Sequence, residues 1–135
     1  MKKLAYLLII VIILGSISCK KSNNDDPPTP TPKYTIKYSV VSTGNVEMDT
    51  IKYMDIEGTE KYLTGESNFE HTFVQPSTNY HAYLYVSGEI IDGSCNYHLR
   101  ILDEDGGIVH MKEDGHTSTQ PYTFKWWAES SKTEN

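Results

Sequence analysis

Cysteine is scarce in this chain, with two in 135 residues, Cys19 and Cys95. Two cysteines cannot form the dense disulfide framework on which small secreted folds rely. Long apolar runs are missing too. The run from Leu4 to Leu14 falls short of the roughly 20 residues that a spanning helix needs, and no second run follows it. Basic residues are outnumbered, 12 Lys and Arg against 18 Asp and Glu. Such a surface repels phosphate backbones, so nucleic acid is excluded as a partner. A helical apolar period is absent as well. So are a nucleophile elbow and a glycine-rich phosphate loop, which argues against an enzyme. No cofactor is expected.

What is present begins with an address. Lys2 and Lys3 give a basic start, Leu4–Leu14 the apolar run, and Gly15, Ser16, Ile17 and Ser18 a small-residue exit. That order predicts a secretory signal peptide over residues 1–18. Ser18-Cys19 at the cut resembles the lipobox of bacterial lipoproteins, with Ser16 where Leu is usual. The resemblance implies diacylglycerol on the Cys19 sulfur and an acylated amine. Two or more acyl chains hold a protein stably on a bilayer. Without residues 1–18 the chain keeps 10 basic and 18 acidic residues, a net charge of −8 with His neutral. That charge keeps a domain soluble beside an anionic surface.

Residues 19–33 read as a lipidated tether. Its first half is polar, and Pro27 to Pro32 alternates Pro with Thr after a Pro pair. Such a segment buries no core and favours extended polyproline II. Lys20-Lys21 followed by Asp25-Asp26 is similar to the tethers of Bacteroidetes lipoproteins. In those, acids near the lipid cysteine direct export to the cell surface. The resemblance implies a lipid-anchored envelope protein on the outer membrane, on its periplasmic or cell-surface face.

Residues 34–135 form one domain with period-two alternation. Ile36, Tyr38 and Val40 alternate with Lys37 and Ser39; Phe69, His71 and Phe73 with Glu70 and Thr72; Ala82, Leu84 and Val86 with Tyr83 and Tyr85; Tyr97, Leu99 and Ile101 with His98 and Arg100. Tyr122, Phe124 and Trp126 close the series. Turn signals stand at Thr43-Gly44-Asn45, Glu57-Gly58, Thr64-Gly65, Asp92-Gly93, Asp105-Gly106 and Asp114-Gly115. The pattern predicts an all-β, immunoglobulin-like antiparallel β-sandwich of about seven to eight strands. Cys95, left alone in an oxidising compartment, reads as a buried small apolar residue, with a reactive thiol or an intermolecular bridge as alternatives.

Three segments are similar to the MmpS accessory proteins and related Bacteroidetes lipoproteins. They are Val46–Gly58, with Ile51, Tyr53, Asp55 and Gly58; Phe73–Val86, with a break at Pro76; and Cys95–Gly115, with a hairpin at Asp105-Gly106. The resemblance implies a β-sandwich outside the cytoplasm and a role beside an envelope transporter.

Candidate chemistry is sparse. His71, His81, His98, His110 and His116 show no ligand pair at short spacing, so no metal is assigned. Asp103-Glu104-Asp105 before Gly106-Gly107 fails the calcium-hand pattern, because Gly107 takes the place of an acid, and reads as a hairpin turn. If Tyr80–Val86 and Cys95–Leu102 pair as a hairpin across residues 88–94, the residues opposite the core converge outward. That face would hold His81, Tyr83, Tyr85, Asn96, His98 and Arg100 as a ligand-binding surface. Rings beside Arg and Asn stack on a sugar or peptide and hydrogen-bond its edges. The expected function is a membrane-anchored, non-enzymatic binding module for an envelope protein or glycan. The alternative is a structural accessory subunit of a transporter.

Overall fold

The computed structural model describes residues 33–133; the expected signal peptide, Cys19 and all but the last residue of the expected tether lie outside them. Six strands follow in order: β1 (Tyr34–Met54), β2 (Glu60–Leu63), β3 (Asn68–Gln75), β4 (Tyr80–Leu102), β5 (Ile108–Ser118) and β6 (Tyr122–Lys132). All pairings are antiparallel and no helix occurs among the described residues. The all-β antiparallel expectation holds. The strand count is six rather than seven or eight.

The difference arises because β1 and β4 are 21 and 23 residues long and pair along most of their length. Near their middles both turn from one layer into a second. In the first layer β3 and β5 flank the N-terminal half of β1 and the C-terminal half of β4. In the second, β2 and β6 flank the other two halves. The layers meet through side chains. Tyr34 packs edge-on to Tyr80 at 5.0 Å, and Tyr97 lies against Trp126 at 5.3 Å and Phe124 at 5.4 Å. The Tyr38 hydroxyl donates to the Met54 carbonyl at 2.9 Å.

Two β-bulges make the passage between layers possible. The register skips Ile91 on β4 and Asp49 on β1, so each strand carries one extra residue. A bulge kinks its strand and increases the local twist. It also shifts the alternation by one. On β4 the buried residues change from Ala82, Leu84, Val86 and Ile90 to Cys95, Tyr97, Leu99 and Ile101. On β1 they change from Ile36, Tyr38, Val40 and Met48 to Ile51. The same face of the ribbon therefore points inward on both sides of the bend. The register resumes unchanged because the two bulges lie on opposite strands.

Three of the six expected turns are real: Glu57-Gly58, Thr64-Gly65 and Asp105-Gly106 fall between strands. At the third, Asp103 Oδ1 accepts from the Gly107 N–H at 2.6 Å and the Asp105 N–H at 3.1 Å, as expected of a hairpin turn. The other three glycines lie inside strands. Gly44 and Gly93 are direct cross-strand partners with φ of 81° and 153°. A Cβ on Gly44 would sit 2.4 Å from the Asp92 carbonyl oxygen, and one on Gly93 would sit 2.1 Å from that of Thr43. These glycines admit close backbone contact at a bend, not chain reversal.

The buried hydroxyls separate into two kinds. Burial pushes the acidity constants of Tyr38 and Tyr97 well above the tyrosine range, so both stay neutral. Tyr38 is hydrogen-bonded to a backbone carbonyl, whereas the Tyr97 hydroxyl has only the weakly bonding Cys95 thiol beside it. Tyr38→Phe should therefore lower stability by about 1 kcal/mol, and Tyr97→Phe should be neutral or stabilising. Leu99, fully buried, should cost about 2–5 kcal/mol as Leu99→Ala. Denaturant unfolding of the three variants checks the ordering.

Candidate functional site

Tyr80–Val86 and Cys95–Leu102 are not two arms of a hairpin but the two halves of β4. The expected core faces hold, since Ala82, Leu84, Val86, Cys95, Tyr97 and Leu99 are all buried. The expected common outer face does not. His81, Tyr83 and Tyr85 lie on the outside of the second layer, and Asn96, His98 and Arg100 on the outside of the first, with the bend between them. A period-two pattern fixes which side of a strand a residue occupies, but not whether two stretches share a plane.

On the second layer the partners of Tyr85 complete a row. Register places Tyr62 of β2 opposite Lys52 of β1, Lys52 opposite Tyr85, and Tyr85 opposite Trp127 of β6. Tyr62 and Trp127 are among the most exposed large side chains described, at 59% and 61%. The Lys52 ammonium lies 5.0 Å from the Tyr62 ring centroid and 5.6 Å from that of Tyr85, at cation–π range from both. The Tyr62 hydroxyl donates to the Glu60 carboxylate, and this bond, with the acid's charge, raises its acidity constant. Tyr83 is also shifted upward, by partial burial and then by Glu60. His81 Nε2 and Glu129 Oε1 are 2.9 Å apart at one end.

The turn before β2 delivers Tyr62 to this row. Asp55 Oδ1 accepts from the N–H groups of Glu57 and Thr59, both at 2.9 Å, while Oδ2 lies 3.0 Å from Lys61 Nζ. These bonds, that of Thr59 first, hold the Asp55 carboxyl below its ordinary range. A depressed carboxyl contributes its full stability above the unfolded value and loses it as pH falls through the folded one. Protection factors against amide exchange at Tyr62 and Leu63 should fall below the ordinary carboxyl range while the core of β4 stays protected. Asp55→Ala should produce the same loss of protection at neutral pH.

On the first layer a groove of about 400 Å³ is lined by Lys37, Ser39, Glu70, Thr72, His98 and Arg100, floored by Tyr38. His98 and Arg100 were among the expected residues. Asn96 lies outside the groove, opposite Gly115. One cross-strand row reads Glu70, Ser39, His98, Glu113, and the next Thr72, Lys37, Arg100, Met111. Glu113 Oε2 lies 3.4 Å from His98 Nδ1 and 3.5 Å from Arg100 Nη2. Ser39 and His98 face each other across the strands, and the His98 Nδ1 has no hydrogen-bond partner among the described residues.

Two of the remaining histidines resolve into packing. His71 lies among Tyr38, Tyr53, Phe69 and Phe73, and His116 beside Tyr97, Tyr122 and Phe124. Among the described residues no three His, Cys, Asp or Glu side chains are grouped to hold a metal. Cys95 is fully buried, and burial pushes its thiol up to about 11. Both alternatives for it, a reactive thiol and an intermolecular bridge, need an accessible sulfur. A thiol reagent at neutral pH should leave Cys95 unlabelled in the folded domain and label it in denaturant.

No family model matches the chain, and no curated protein matches it.

Proposed function

We propose that this chain is a lipid-anchored, non-enzymatic binding module of the cell envelope. Acyl chains on Cys19 hold it at the outer membrane, and the tether carries the domain clear of the bilayer. It recognises an envelope glycan or protein through the outside of the second layer. The observation that carries this reading is the row Tyr62–Lys52–Tyr85–Trp127, which crosses all four strands of that layer.

The physical argument rests on what such a row costs in water and what it offers a ligand. Tyr and Trp bring a large rigid contact area at low conformational cost, and exposed aromatic side chains in contiguous patches mark interaction sites. The Lys52 ammonium, Glu60, His81 and Glu129 around the rings supply donors and acceptors for the edges of a flat-faced ligand. The side chains sit on paired strands, so little ordering remains to be done on binding. The signal peptide and the Ser18-Cys19 junction support the anchor independently of the fold.

Trp127 supplies its own probe, because it is exposed while Trp126 is buried. Envelope glycan and protein fractions should shift the indole fluorescence of the native lipoprotein. Trp127→Phe should remove that shift. Tyr85→Ala with Trp127→Ala should weaken binding by about 1 kcal/mol or more per ring and leave the melting temperature nearly unchanged. Undiminished binding in the double variant would sink the assignment of the face, and a transporter subunit as the sole crosslinked species would favour the accessory role instead. Cys19→Ala should abolish incorporation of a fatty-acid analogue; normal labelling would remove the anchor from the account.

A further inference from the structure

The groove on the first layer lies away from the aromatic row, and its chemistry is different. Lys37 and Arg100 are direct cross-strand partners there, with both side chains outward. Like charges in that relation are destabilising. Among the described residues no carboxylate lies within ion-pair reach of Lys37. Arg100, the only arginine in the chain, reaches Glu113 at 3.5 Å, well beyond the separation of a strong charge-assisted hydrogen bond. Two cations are thus held side by side in an acidic protein, and one is a guanidinium whose fork matches a planar carboxylate.

The rest of the lining narrows the anion. Glu70 stands in the lining on the β3 side, while Glu113 lies outside it and reaches Arg100. A bare anion such as phosphate leaves Glu70 facing like charge, whereas a ligand with hydroxyls beside its carboxylate can pair with it. Glu70 then becomes an asset, because a carboxylate accepts hydrogen bonds from hydroxyl groups. Ser39 and Thr72 add hydroxyls that donate or accept. A volume of about 400 Å³ lies within the size range of small-ligand sites. The ligand this set fits carries one carboxylate and several hydroxyls.

We infer that the groove formed by Lys37, Ser39, Glu70, Thr72, His98 and Arg100 binds an acidic sugar of the uronate class. The carboxylate lies on Arg100 and Lys37, and the ring hydroxyls on Glu70, Ser39 and Thr72. Lys37 and Arg100 are both exposed, so the interaction is salt-sensitive. This inference stands apart from the aromatic row and from the lipid anchor.

The full chain should be titrated with a galacturonate oligosaccharide, a neutral oligosaccharide of equal length, and inorganic phosphate. The uronate should bind best, and its affinity should fall as salt rises. Arg100→Gln and Lys37→Gln should each weaken it about tenfold or more. Arg100→Lys, which keeps the charge and loses the fork, should not restore it. Lys37→Gln should also raise the melting temperature, because it removes an opposed pair of cations while removing the ligand's partner. Tyr85→Ala with Trp127→Ala should leave uronate binding unchanged, which separates failure of the groove from failure of the aromatic face. Failure of the uronate to bind, equal affinity for the neutral sugar or phosphate, or full affinity in Arg100→Gln would overturn the inference.

Discussion

The backbones of β1 and β4 come within contact distance where Gly44 faces Gly93. Any side chain at either position would enter the carbonyl of the opposite strand. That approach lets a two-stranded ribbon of more than twenty residues bend between two layers without losing its pairing. The bulges at Asp49 and Ile91 complete the turn. Each bends its strand, and because they lie on opposite strands the register after the bend equals the register before it. The apolar face stays inward throughout, which is how one ribbon supplies most of the core on both sides. The remaining four strands are short by comparison, and each needs only one edge of the ribbon to join.

The same bend determines where chemistry can occur. Side chains opposite the core lie on the outer, convex side of the ribbon, so the two halves of β4 present theirs on different layers. One half lies between β1 and β6, with β2 on the far edge of β1, and the result is a row of rings around a single ammonium. The other lies between β1 and β5, with β3 on the far edge of β1, and the result is a polar groove lined by two cations and one acid. The convergence of aromatic and cationic groups expected of one face becomes two surfaces of distinct character.

Much of this was legible in the sequence. The alternation identified the buried residues of both halves of β4, and their inward direction is as expected. What misled was the change of phase between Ile90 and Cys95, where Asp92-Gly93 reads as a turn. A phase change with glycine reads equally as a reversal or as a bulge, and only long-range pairing distinguishes them. Gly44 and Gly115 raised the same ambiguity. Tyr62 was missed because a four-residue strand carries almost no periodicity. Trp127 could have been found. Two adjacent tryptophans in an alternating strand cannot both face the core, and Trp126 takes the inward place. Lys37 beside Arg100 required the register of β1 on β4, which no local pattern encodes.

The continuity of β4 through the bend is the claim on which both surfaces depend, and it is open to direct measurement. Nuclear Overhauser contacts between backbone protons report cross-strand neighbours residue by residue. The account requires contacts between Gly44 and Gly93, between Ser42 and Cys95, and between Met48 and Gly88, with Ile91 and Asp49 unpaired. Contacts between Val86 and Cys95, as arms of a hairpin closed over residues 88–94, would contradict it.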